Sequence, residues 1–140
     1  MKILDKNGSN ITMVSVDRIN TLFEENLHLP LVLLEAGIGY AKRSCIKAFL
    51  EEHSYQHVWL RLSRIDNSTT AFWRNICNVL KENDPQLAIE AEEMGFPDTV
   101  GKLAKFVDQY SKIMSDAQQF IVVIDDYSLI HNERVQLFFE

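Results

Sequence analysis

Leu31-Val32-Leu33-Leu34-Glu35-Ala36-Gly37-Ile38-Gly39-Tyr40-Ala41-Lys42-Arg43-Ser44 is the stretch on which the fold of this chain turns. Its first four residues are apolar whichever way an extended chain faces. That fits a strand covered on both sides, as in a parallel sheet. A glycine-bearing turn follows and ends in a lysine, where a helical pattern begins. Strand, turn and helix in that order are the setting a phosphate-binding loop requires. Small residues let backbone N–H groups wrap a phosphate, the helix N-terminus adds partial positive charge, and the lysine reaches the outer phosphates. Against the pattern Gly-x-x-x-x-Gly-Lys-Ser/Thr, Ala36 holds the first glycine's place and Ala41 the second's. Arg43 stands where a hydroxyl would meet Mg²⁺. Taken alone, the stretch also fits a bland strand-to-helix turn with a surface lysine.

A second stretch bears on that choice. Phe120-Ile121-Val122-Val123-Ile124 is uninterrupted and rich in β-branched residues, the clearest strand in the chain, and it runs straight into Asp125-Asp126. An apolar strand ending in two acids is the Walker B arrangement. The strand carries a carboxylate to the C-terminal edge of the sheet, where Asp125 can bind Mg²⁺ directly or through water. The second carboxylate, Asp126, can polarise an attacking water as the catalytic group. The plainer reading is that the two acids open a turn before a helix at Asn132. The two motifs stand in the order a nucleotide site needs, with a strand and helices between them.

The remaining pattern supplies those elements. Strands are expected near 31–35, 57–62 and 119–125. From Ser15 the chain is helical, with Val16, Ile19, Phe23 and Leu27 on one face, until Leu29-Pro30 closes the segment. Phe72, Trp73, Ile76 and Leu80 share a helix face, as do Val100, Leu103, Val107 and Met114. Asp84-Pro85 and Phe96-Pro97 interrupt the helical stretches. Strands alternating with helices imply right-handed crossovers and a layered α/β fold. Residues 1–14 are either a leader or a short hairpin turning at Asn7-Gly8, and 15–140 form one domain.

Composition bounds the function. The 140 residues have room for one domain, and 46% hydrophobic with 24% charged residues is an ordinary globular balance. A formal charge of -6 repels phosphate backbones, so direct nucleic-acid binding by this segment is not expected. No apolar run approaches bilayer length and the amino end lacks a signal-peptide core, which points to no membrane contact and a cytoplasmic setting. Cys45 and Cys77 lie among apolar neighbours with no metal-binding spacing, and read as buried, reduced thiols.

The loop resembles the Ala-Pro-Ala-Gly-Tyr-Gly-Lys-Thr-Thr loop of the large LuxR-type ATP-binding transcription regulators, relatives of the maltose-operon activator and members of the STAND class of signal-transduction ATPases. Gly39, Tyr40 and Lys42 stand in that family's Gly, Tyr and Lys places. Trp59-Leu60-Arg61-Leu62-Ser63, Asp66-Asn67 and Phe72-Trp73 are similar to its second strand and the elements after it. Ile124-Asp125-Asp126-Tyr127-Ser128-Leu129-Ile130 is similar to its Asp-Asp-Tyr-His-Leu-Ile. The likeness runs from about Val16 to the end. It implies a three-layer P-loop NTPase fold with a parallel sheet, incomplete at the C-terminus and continuing past Glu140 into further strands and a helical lid. It implies ATP or ADP as ligand and Mg²⁺ as its ion. Nucleotide contacts would come from Gly37, Gly39, Tyr40, Ala41, Lys42, Arg43 and Ser44. DNA binding would belong to a carboxy-terminal helix-turn-helix outside this segment. An exposed sheet edge would also favour a homodimer.

The departures have chemical consequences. Arg43 removes a metal ligand and brings a cation in its place. Ser44 lies roughly 100° further round the helix and does not substitute for it. Ala41 adds a Cβ where backbone must approach phosphate. Lys42 and Arg43 together could neutralise phosphates without a metal, and hydrolysis is doubtful. Two readings follow: a nucleotide-sensing domain of a LuxR-type regulator, or a decayed P-loop scaffold kept as a protein-interaction module. Other features fit structure better. His53 and His57 straddle a turn and lack a third ligand. Glu90, Glu92 and Glu93 form a solvated face, and Trp59 and Trp73 are packing residues. His131 follows the acid pair, but no serine or cysteine sits in a nucleophile's elbow.

Overall fold

The structure is a computed structural model, and it describes residues 14–27, 32, 42–114 and 120–139. The expected first strand and the glycine-bearing turn lie outside the described residues. The chain divides into two compact units, Met1–Ser54 and Tyr55–Glu140, each taken by itself below.

In the first unit, α1 (Val14–Asn26) and α2 (Lys42–Glu52) are the two helices the periodicity indicates. Phe23 of α1 meets Phe49 of α2 with ring centroids 5.0 Å apart, and Phe49 is 1% exposed. The α1 face expected from the sequence includes Phe23 and Leu27, and both are half-buried. At the end of α2 the His53 ring stacks on Phe49 at 4.3 Å, and its Nδ1 lies 2.9 Å from the Phe49 carbonyl. Its Nε2 lies 3.3 Å from Glu24 Oε1 of α1, so one imidazole ties the two helices. Ser54, with φ of 54°, turns the chain out of the helix.

In the second unit, β1 (Gln56–Arg61) and β2 (Phe120–Asp125) pair in parallel, with register from Gln56↔Phe120 to Arg61↔Asp125. These are the second and third strands expected from the sequence, each within one residue. A parallel pair needs a long crossover. Here it is helical: α3 (Thr69–Asn83), α4 (Pro85–Met94) and α5 (Val100–Met114). The chain is thus mixed α/β with a small parallel sheet.

The two dipeptides read as breaks act as helix punctuation. Asp84 caps α4 by accepting from Gln86 and Leu87 N–H, each at 3.0 Å, and Pro85 takes the first helical position, where a missing N–H costs nothing. Gly95 ends α4 at φ 67°, a conformation that favours glycine. Phe96-Pro97 then carries the chain into α5.

Among the described residues of the second unit, two apolar clusters form the core. Between the helices, Trp73, Cys77, Leu80, Leu87, Ala88, Ala91 and Phe106 pack together, and the Trp73 indole N–H donates to Ala91 O at 2.8 Å. Over the sheet, Leu60, Leu62, Phe72, Ile130 and Val135 form the second cluster. Ile76, Phe96 and Phe138 touch both clusters and join them. Cys45 and Cys77 are buried free thiols, and burial pushes the Cys77 thiol up to about 11.

One helix face differs from the sequence expectation. On α5, Val100 is 86% exposed and Val107 55%, while Phe106 is 7% exposed. The buried stripe runs about one residue to the side of the valines. Phe106 reaches Trp73 with centroids 5.1 Å apart and stacks on Tyr110 at 5.9 Å. Burying two large rings removes more apolar surface from water than burying two valines, and the helix rotates accordingly.

Candidate functional site

Lys42, Arg43 and Ser44 form the first turn of α2, which begins at Lys42. Lys42 is half-buried, while Arg43 and Ser44 are exposed. Cys45, one position further, is buried, so the inward face of the helix starts after the polar triplet. Gly37, Gly39, Tyr40 and Ala41 lie outside the described residues. Lys42 to Ser44 belong to the first unit, Asp125 and Asp126 to the second.

At the end of β2 the acid pair sits at the C-terminal edge of the parallel strands. Asp125 closes the strand and its carbonyl accepts from Leu62 N–H at 3.0 Å, extending the ladder one step past β1. Asp126 turns the chain with φ 60° and ψ 28°, left-handed backbone that is uncommon outside glycine and tolerated by Asp and Asn. A 3₁₀ turn, Tyr127–Leu129, follows directly. Leu129 N–H returns to Asp126 O at 3.0 Å and Ile130 N–H to Tyr127 O at 3.0 Å.

What holds that turn is Asn67, from the loop after β1. Asn67 Nδ2 donates to Leu129 O at 2.9 Å, and its Oδ1 accepts from His131 N–H at 2.6 Å and Asn132 N–H at 3.0 Å. Asn132 Nδ2 donates back to Asn67 O at 2.8 Å. Asp66, 5% exposed, accepts from the Ser63 N–H and hydroxyl, both at 2.7 Å, and from Asn75 Nδ2 at 3.2 Å. Those three donors satisfy a buried carboxylate that, among the described residues, has no cation against it. The Asp-Asn motif thus works here as a clasp between the two loops at one end of the sheet.

Among the described residues, Arg61, the last residue of β1, brings a cation to this edge. Its Nε lies 3.7 Å from Asp126 Oδ2, with side chains 69% and 36% exposed respectively. Asn75 Nδ2 holds the Arg61 carbonyl at 2.9 Å. Sequence reasoning passed over Arg61, Asn67 and Asn75 as site residues. A charged residue closing an apolar strand was the available signal for Arg61. The two asparagines act through partners distant in sequence, and no local pattern marks them.

The donor set at this edge does not fit Mg²⁺. A divalent ion wants several oxygen ligands with uncompensated negative charge, and a guanidinium already lies against Asp126. The two histidines raised by the sequence are engaged separately. His53 Nδ1 is on Phe49 O, and His57 Nδ1 lies 3.0 Å from Tyr55 O. Glu90 of the acidic face takes Gln109 Nε2 at 2.6 Å, in a groove of about 410 Å³ between α4 and α5 that also includes Glu93, Lys102 and Lys105. Its mixed charges favour no one class of ligand.

No protein-family model, curated protein or solved structure matches the chain. Among the described residues, no helix is long and apolar enough to cross a membrane.

Proposed function

We propose that this chain is a nucleotide-sensing P-loop-type domain of a cytoplasmic, LuxR-type transcription regulator, binding ATP or ADP through Lys42 and the turn before it. The observation that carries this reading is the acid pair. Asp125 and Asp126 end a strand that is parallel to its neighbour, and ligands of open parallel sheets gather at the carboxyl ends of the strands. A helix opening on Lys42 supports it, because a helix start with a lysine favours phosphate. The three-layer fold belongs to the same proposal.

The chemistry assigned to the site is binding without efficient hydrolysis. Lys42 and Arg43 supply two positive charges to the phosphates. Gly37, Gly39, Tyr40, Ala41 and Ser44 are the further nucleotide contacts of this reading. Asp126, lying against Arg61, is poorly placed to act as a base towards water. No step is assigned to Mg²⁺. DNA contact falls to a helix-turn-helix elsewhere in the regulator, and self-association uses the free edge of the sheet. Among the described residues, β2 pairs only with β1 and Val122 is 43% exposed.

Arg43 and the Arg61–Asp126 pair also favour a second reading, a P-loop scaffold that has lost nucleotide and keeps an interaction role. Lys42→Ala separates the two. Loss of ATP binding with unchanged thermal stability is expected from the first, whereas equal affinity of variant and parent would contradict it.

A further inference from the structure

We propose that Arg61 is a specificity-determining residue: by pairing with Asp126 it turns the acidic end of β2 from a divalent-cation ligand into a metal-free edge, so that the site accepts nucleotide without its magnesium. The inference rests on the reading of Asp125 and Asp126 as the acid end of a nucleotide site, and deepens it by naming the ligand's form.

The pairing is set by the fold. The register puts Arg61 opposite Asp125, so the residue after the strand, Asp126, turns beside the arginine. Both backbones are fixed: Arg61 O by Asn75 Nδ2 at 2.9 Å, Asp125 O by Leu62 N–H at 3.0 Å, and the following turn by Asn67. The guanidinium then lies 3.7 Å from Asp126 Oδ2. A unit positive charge against Asp126 would oppose a divalent ion held by the same carboxylate, by roughly tenfold even at a water-like dielectric. It also compensates one of the two carboxylates the ion would use. The same guanidinium, 69% exposed, presents planar donors suited to phosphate oxygens. One side chain therefore disfavours the metal and favours the anion. Because an exposed ion pair adds little to stability, Arg61 can be replaced without unfolding the chain.

The test is Mn²⁺ binding without nucleotide, read from the electron paramagnetic resonance signal of the free ion. Wild type, Arg61→Ser and Arg61→Ser/Asp126→Asn are compared. Arg61→Ser is expected to bind Mn²⁺ roughly tenfold more tightly than wild type, and the double variant to lose that gain. Equal affinity in wild type and Arg61→Ser overturns the proposal, as does a gain that survives in the double variant. A parallel ATP titration, in EDTA and in Mg²⁺, should show a wild type indifferent to the metal and an Arg61→Ser protein that gains affinity with it. ATP bound equally with and without Mg²⁺ by Arg61→Ser also overturns it. If neither protein binds ATP, the nucleotide reading falls and the Mn²⁺ comparison still decides what Arg61 does.

Discussion

Asn67 reaches across 62 to 65 positions of chain to bond Leu129 O, His131 N–H and Asn132 N–H. In doing so it fixes the turn that begins with the left-handed Asp126. Removing the amide leaves two N–H groups and two carbonyls, those of Arg64 and Leu129, to find water or stay unpaired. Asn67→Ala should therefore cost about 2 kcal/mol of unfolding free energy. Asn67→Asp, which keeps the acceptor and loses the donor, should cost less. Urea unfolding of the three proteins checks the order, and an unperturbed Asn67→Ala would show that the clasp does not stabilise the fold. His53 gives a pH effect of defined sign. Its hydrogen bond to the Phe49 carbonyl, with Glu24 and Glu52 adding to it, raises its pKa above the ordinary value of 6.5. Its contribution is complete below that unfolded value and is lost as pH rises through the higher folded one. Thermal stability measured from pH 5.5 to 8 should fall more in wild type than in His53→Gln. Identical slopes would remove His53 from the account. Neither role was legible in the sequence. Asn67 drew notice only as half of a familiar dipeptide, and His53 as half of a metal pair, because the partners that define each lie far away along the chain.

At the scale of elements, strands and helix breaks were readable and one helix face was not. β2 announced itself by an apolar, β-branched run, and the break at Asp84-Pro85 by a proline that cannot sit inside a helix. On α5 two stripes compete at adjacent angles: Val100 with Val107, and Phe106 with Tyr110. Periodicity scores both, and only the presence of Trp73 on α3 selects the aromatic one. Phe106→Ala should cost about 3 to 5 kcal/mol, in line with emptying a buried aromatic site. Val107→Ala, at a position 55% exposed, should change stability by less than about 0.5 kcal/mol. Chemical denaturation of the two variants checks the contrast, and comparable losses would restore the valine stripe as the packed face.

For the molecule as a whole, the α/β class with parallel strands followed from the order of patterns, and the described sheet has that form. The position of the acid pair at the end of β2 was legible in the sequence because the strand and the two acids are consecutive residues. Its surroundings were not legible, because Arg61 meets it only once β1 and β2 are in register, and Asn67 and Asn75 act through the neighbouring turn and the Arg61 carbonyl. The account built on that geometry takes the acid pair as already answered by an arginine, and makes nucleotide binding independent of metal. Calorimetric titration of ATP and ADP into the chain, with Mg²⁺ and with EDTA, tests this most directly. Micromolar affinity that is the same in both solutions is the expected result. Affinity that appears only with Mg²⁺, or none at millimolar nucleotide, would contradict it.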